Sequence, residues 1–487
     1  MAVIFSFCNE EKIPEGEVLA QTFCSSCHAF PEPQLLDRPT WEKYILPRMG
    51  QFMGIYQNEK QRDSLVEKGP AQAIIEAASI FPRKPALSTK EWLAIQAFYL
   101  KHAPDTLAAD SMVSRSTTRF QAKFPNLFLS PPSTTFVSIE KEGLFFADAN
   151  KQLFFQLDQQ LEVSKQAKIG EGVVHSHRTA DAFWLTTMGS FSPTDQAKGA
   201  IFRLSTDPKQ ASGIAIDQLQ RPVHASYADF NQDGFLDVLV CEYGKWTGAL
   251  SLWLQDAQGD FQRRNLLNRS GAIATQIIDL NQDGLLDFMA LFGQGDESIQ
   301  WFVNKGNLQF VPQKIVSLSP SHGSSSFALY DFNADGRQDI IYTAGDNADF
   351  PPILKPYHGV YIYLQQDDFQ FQQAHFLPLP GAYRAIPADY DLDGDLDIAA
   401  ISFFPDYVNA HQDFVLFEQT DSGFQATTMD LGEMGRWIVM DHGDIDQDGD
   451  EDLLLGALTF EAPQKPELIQ KWVKNGIPFV LLENQTK

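Results

Sequence analysis

The chain has 487 residues, 44% of them apolar, and carries 63 acidic against 37 basic side chains, a formal charge of −26. The apolar content suffices for large cores and excludes a disordered chain, while the charge repels nucleic acid and anionic membrane surfaces, so no nucleic-acid partner is expected. Four cysteines are too few for a disulfide scaffold, and no apolar run reaches the roughly 18 residues of a membrane-spanning helix.

Residues 1–14 come first. Met1 to Phe7 is apolar but too short for a secretory core and has no basic start. Ile4-Phe5-Ser6-Phe7-Cys8-Asn9 resembles the end of a bacterial lipoprotein signal, with Cys8 as the lipidated residue; Phe7 departs from the small residue such signals place there. The expectation is a truncated export signal with a lipid anchor at Cys8.

Residues 15–104 read as helical. A helical run from Glu17 to Phe23 leads into Cys24-Ser25-Ser26-Cys27-His28. Two cysteines three apart, followed at once by histidine, form the attachment signature of c-type haem: each thiol adds across one vinyl group and the imidazole becomes the proximal iron ligand. A redox dithiol and half of a zinc site use the same residues, but zinc wants a second Cys/His pair, and Cys8 and Cys241 are both isolated. Further helices are expected from Trp41 to Met53, through Ala71 to Ala78, and from Ser88, whose capping box with Glu91 opens a face of Trp92, Ile95, Phe98 and Tyr99.

On Cys24, Cys27, His28 and the helix at 88–102, this region resembles a monohaem class I cytochrome c. The resemblance implies one haem c. It departs from the commonest pattern before the last helix, where Ile80 to Pro85 holds no methionine. Trp41 to Met49 resembles the Trp-then-Met helix of cytochrome subunits attached to dehydrogenases, so Met49 is the expected distal ligand, with Met53 as second choice and His102 or an open position as alternatives. A His/Met pair raises the potential and suits electron transfer.

Residues 105–118, rich in Ala, Asp, Ser and Thr, read as a linker. From 119 to 487 the pattern changes to short alternating strands, and it repeats. Five acidic nonapeptides open at Asp229, Asp279, Asp331, Asp389 and Asp444, 50 to 58 residues apart. Four strands can be read around each; around the first they are Pro222 to Ala228, Val238 to Cys241, Ala249 to Leu254 and Phe261 to Leu266. Two further units, near Thr135 and Val173, keep the strands without the acidic loop. Seven units of four strands predict a seven-bladed β-propeller. The last unit ends on its third strand, Ile477 to Leu482, whereas Arg119 to Ala122 matches the fourth strands of other units, so residues 119–128 are expected to close the ring.

Asp-x-Asn/Asp-x-Asp-Gly places three oxygen side chains on a tight turn, and an aspartate at position nine completes a hard-oxygen shell that suits calcium and not a transition metal. The predicted ligands are Asp229, Asn231, Asp233 and Asp237; Asp279, Asn281, Asp283 and Asp287; Asp331, Asn333, Asp335 and Asp339; Asp389, Asp391, Asp393 and Asp397; and Asp444, Asp446, Asp448 and Asp452. Phe235, Leu285 and Arg337 fall at the seventh position, where a backbone carbonyl serves, so they are expected to cost no ligand. Flanked by strands, these loops resemble the FG-GAP/VCBS calcium repeats of integrin α-chain propellers and many exported bacterial proteins, which implies about five Ca²⁺.

The acidic loops join first and second strands, on the lower face. The second-to-third connections make the upper face, with long ones at 346–359, 404–412 and 462–476. They carry Lys355, Tyr357, His358, Tyr407 and His411, while His175, His177, His224, His322, Arg384 and Arg436 begin innermost strands around the funnel. This set is the candidate face for an anionic or hydroxyl-rich ligand. The expectation is a periplasmic or outer-membrane electron-transfer protein whose propeller docks a redox partner or ligand. Alternatives are an oxidoreductase acting on a small molecule such as a sugar, and a carbohydrate- or protein-binding module with a haem sensor.

Overall fold

The computed structural model describes residues 15–108, 115–348, 353–407, 412–460, 462 and 465–486. Residues 1–14, including Cys8, lie outside them, as does His411.

The N-terminal region is helical. Glu15–Cys24 packs on Thr89–His102, and the approach is close because Gly16 has no Cβ: one there would stand 2.3 Å from the Ala94 carbonyl oxygen. The capping box at Ser88 and Glu91 forms as expected, and Trp92, Ile95, Phe98 and Tyr99 are buried. Between these helices the chain runs through a π-helical turn, Trp41–Ile45, into Leu46–Phe52, then Glu59–Leu65 and Pro70–Ala77.

The described strands of residues 120–484 form a seven-bladed propeller. Innermost strands are, in blade order, Thr134–Glu140, Val173–Arg178, Pro222–Ala228, Ala272–Ile278, Ser324–Tyr330, Ala382–Ala388 and Trp437–Gly443. Each pairs antiparallel with its second strand and slips by one residue at the same point, the second residue of the innermost strand in all seven blades. Such a bulge bends and twists the strand. Second strands such as Asp287–Phe292 are buried along their whole length, since neighbouring blades cover both faces, whereas outermost strands such as Phe261–Leu267 are largely exposed. Uninterrupted apolar runs like Phe288-Met289-Ala290-Leu291-Phe292 follow from that double burial.

Ring closure takes the expected form. Phe120–Lys123 pairs antiparallel with Phe479–Asn484, Phe120 opposite Asn484 and Lys123 opposite Leu481, and supplies the fourth strand of blade 7. Two features depart from the sequence expectations. Arg115–Ser116, read as linker, adds a fifth strand parallel to Gly423–Met429 of blade 6. The connection at 462–476, read as a loop, contains a helix, Pro466–Asn475, which buries Leu468 and Trp472 and ends at Gly476 in a left-handed conformation.

The helical region sits on the upper face. Glu67 accepts hydrogen bonds from Thr194 Oγ1 (2.6 Å), Gln196 Nε2 (2.6 Å) and the Asp195 amide (3.1 Å) of blade 2. Trp246 of blade 3 meets Phe52 and Phe81 edge-on, both at 5.6 Å, with the Arg48 guanidinium over its ring. From blade 5, Tyr357 Oη donates to the Leu35 carbonyl at 2.8 Å and Ile353 packs against the helical core.

Candidate functional site

The Cys-x-x-Cys-His motif lies where the first helix ends. Cys24 is its last residue and is buried, Cys27 is exposed, and both thiols are free. Burial pushes the Cys24 thiol up, opposed in part by its hydrogen bond with Tyr99. His28 Nδ1 lies 2.8 Å from the Ala29 carbonyl oxygen. A carbonyl only accepts, so Nδ1 is the donor of this contact; in the neutral ring that leaves the lone pair on Nε2, the tautomer a metal-ligating imidazole needs. The segment beyond is pinned twice: Tyr99 Oη donates to Pro31 O (3.0 Å) and Trp41 Nε1 to Pro33 O (2.9 Å). Met49 and Met53 are both partly buried against the apolar cluster that contains Cys24, Trp41, Leu46, Trp92 and Tyr99. Two thiols outside any disulfide, a neighbouring imidazole, and two thioethers packed against the apolar cluster that holds Cys24 fit the donor set of haem c. Among the described residues, no three-ligand group close enough for a metal includes Cys24 or Cys27.

The five acidic loops are built alike. In the first, both oxygens of Asp229 accept amides, from Asp233 (3.0 Å) and Gly234 (2.8 Å), and Asn231 Oδ1 also faces the Asp233 amide at 3.1 Å. The fourth residue is left-handed in every loop, from Ala334 at φ 56° to Gln447 at 63°, and so is the sixth, glycine, at φ 83° to 100°. A Cβ at Gly234 would meet nothing within 4 Å, so backbone conformation alone demands glycine. The ninth aspartate has a second role: buried Asp237 accepts the Phe230 amide on one oxygen and the Gln255 amide on the other, both at 3.0 Å, tying the loop to the third strand. Asp339 and Asp452 repeat this, and Asp287 takes Asn304 N and Trp301 Nε1.

Blades 6 and 7 differ. Asp389, Asp391 and Asp393 place ligand oxygens within 4.8 Å of one another, as do Asp444, Asp446 and Asp452. Both loops carry a further aspartate at the seventh position, Asp395 and Asp450, which sequence reasoning had assigned to a backbone carbonyl. Asp450 is 2% exposed and neither of its oxygens has a hydrogen-bond partner; Asp395 Oδ1 and Asp397 Oδ2 are orphaned too. Burial and the neighbouring carboxylates push Asp450 up to about 7 and Asp397 likewise. Orphaned buried oxygens in an all-oxygen donor set fit a hard cation. The signal was present as an unbroken alternation of Asp from 389 to 397. Arg337 is not neutral at its seventh position: its guanidinium lies 2.8 Å from Asp335 Oδ2 and holds that carboxyl at about 2.

The upper-face candidates do not form one ring. His322, Lys355, Tyr357 and His358 come together beside blade 5. His224 lies tilted against His175 (ring centroids 4.2 Å apart), His177 stacks on Tyr227 (4.4 Å), and the Arg384 charge reaches both His175 and His224. Arg436 is buried over the rings of Phe403, Phe404 and Phe460 and donates from Nε to Phe403 O at 2.7 Å. Tyr407 is buried near it, packed with Trp472.

Residues 229–290 and 279–342 match the FG-GAP-like repeat, so this propeller carries FG-GAP-like repeats. No curated protein sequence matches this one. Similar solved structures include the N-terminal domain of Nup159 (11% identity over 78% of this chain and 99% of that chain, TM-score 0.43). Streptogramin B lyase is similar at 13% identity over 76% of this chain and 100% of that chain, with a TM-score of 0.46. Saccharomyces cerevisiae Sqt1 is similar at 8% identity over 77% of this chain and 100% of that chain, with a TM-score of 0.43.

Proposed function

We propose that this chain is an electron-transfer protein: one haem c held by Cys24, Cys27 and His28 in residues 15–104, set on the upper face of a calcium-stabilised propeller that docks a ligand or a partner protein. The observation that carries the reading is the Cys-x-x-Cys-His motif itself, with both thiols free, His28 Nδ1 set against the Ala29 carbonyl, and Met49 and Met53 packed against the apolar cluster that holds Cys24. Haem bound there supplies one-electron chemistry, with a potential raised by a His/Met pair. The chain's own part is positional. Trp41 and Tyr99 clamp the two carbonyls after the motif, the Ala29 carbonyl sets the imidazole, and the aromatic cluster excludes water. Met49 is the distal candidate, with Met53 second.

Calcium at the five loops ties first, second and third strands of each loaded blade through the ninth aspartate. Covalent haem attachment takes place outside the bacterial cytoplasm, which supports an exported, periplasmic or outer-membrane location with Cys8 as lipid anchor. Among the described residues no helix is long and apolar enough to cross a membrane. An oxidoreductase reading is favoured by one observation, the buried His and Lys cluster of blade 5 beneath the helical region.

In the haem-loaded protein, Met49→Ala should abolish the sulfur-to-iron charge-transfer absorption of the oxidised form, while Met53→Ala keeps it. Loss only in Met53→Ala moves the ligand to Met53; its absence from the unmutated protein rejects methionine ligation.

A further inference from the structure

We infer that the cluster at blade 5 is a binding site for a small oxyanion, a carboxylate or phosphate group, reached between the helical region and the propeller. The inference stands independently of haem. His358 is 2% exposed and its Nδ1 faces the Gly381 amide at 3.4 Å. That nitrogen is therefore the acceptor, so the neutral ring carries its proton on Nε2, a buried donor that makes no hydrogen bond of normal geometry and has only the His322 backbone acting on the ring. A buried donor without a good partner is destabilising, a cost that an arriving acceptor removes.

Two further groups share this neighbourhood. Lys355, 6% exposed, donates from Nζ to the Ser321 carbonyl at 3.1 Å, and its charge reaches both His322 and His358. His322 Nδ1 is also buried and unpartnered, and its ring lies 4.9 Å from that of Tyr357, which is 5.8 Å from His358. The nearby carboxylate, Glu297, is already spent: its oxygens accept Gly323 N (3.3 Å), Ser324 N (2.9 Å) and Ser324 Oγ (2.6 Å). What remains is a donor-rich set, an ammonium with an orphaned imidazole N–H and a second open imidazole nitrogen. Such a set selects an acceptor-only ligand; a neutral sugar, which must also donate, matches it less well. Tyr357 forms one wall while its hydroxyl holds Leu35 of the helical region, so the site is roofed by the element that bears the Cys-x-x-Cys-His motif.

The test is calorimetric titration of the full chain with inorganic phosphate, acetate and glucose at constant ionic strength, alongside thermal melting. Phosphate or acetate should bind and raise the melting temperature of the unmutated protein, which of the two binds tighter naming the source. His322→Asn should weaken that binding about tenfold, as for loss of one charge-assisted contact. If His322→Asn does not fold, the melting shift of the unmutated protein still decides. No heat and no melting shift with either anion, binding unchanged in His322→Asn, or glucose binding as tightly would overturn the site.

Discussion

At the scale of single residues, the upper half of the propeller channel keeps several imidazoles out of water. His224 is pushed down to about 4 by burial and by Arg384, and His322 to about 4 by burial and by Lys355. An unfolded histidine titrates near 6.5, so between pH 6.5 and 4 the unfolded chain binds protons that the folded chain refuses. Their contribution is complete above pH 6.5 and is lost as the pH falls toward 4. Glu297 and Asp413, held near 7 by burial, run the other way and lose stability as the pH rises from about 4 to 7. His224→Gln should flatten the acid limb: lowering the pH from 7 to 5 costs the parent about 1–2 kcal/mol more than the variant in urea unfolding, allowing for the half-buried ring. Equal losses would mean that His224 takes its proton freely in the folded state. None of this was visible in the residue order, where these histidines read only as a ring around a funnel. Their division into three groups depends on which blades turn them toward one another.

Elements tell a different story, because repetition made most of them legible. Pro222–Ala228 and Phe261–Leu267 fall within a residue of their sequence-read bounds, since each acidic loop marks the strand on either side. The closing strand was legible from a deficit, a last unit one strand short and a matching orphan at residue 120. What escaped was local. Arg115–Ser116 is too short to show a period, and Pro466–Asn475 was masked by its position in a connection that is a loop in other blades. Proline at its first position and Leu468 and Trp472 four apart were the available signal. Phe120 anchors the closure, 5% exposed and edge-on to Tyr390 (5.9 Å) and Phe414 (5.8 Å). Phe120→Ala should cost about 3–5 kcal/mol, and deletion of 119–128 should lower the melting of the entire propeller. A propeller transition unmoved by both changes would show that the ring closes without this strand.

The whole molecule joins a helical unit to the upper face and carries the acidic loops on the lower one. The five loops were the most legible feature, since a liganding turn needs its oxygens at fixed spacing; the union of the two units was not, because Glu67, Trp246 and Tyr357 meet partners far off in the chain. Chelating divalent cations should lower the propeller's melting temperature, by an amount set by about 2.7 kcal/mol for each site held at a hundredfold excess over its Kd. Asp450→Asn should shrink the calcium response more than Phe235→Ala, which touches no orphaned oxygen. A melting curve indifferent to chelator would reduce the loops to turns held by their own amides. The central claim is the covalent haem, and intact-mass measurement of chain produced with the c-type maturation machinery tests it most directly. The predicted result is a gain of one haem that survives denaturation and disappears in Cys24→Ala/Cys27→Ala; an unmodified mass, or a haem retained by that double variant, would contradict it.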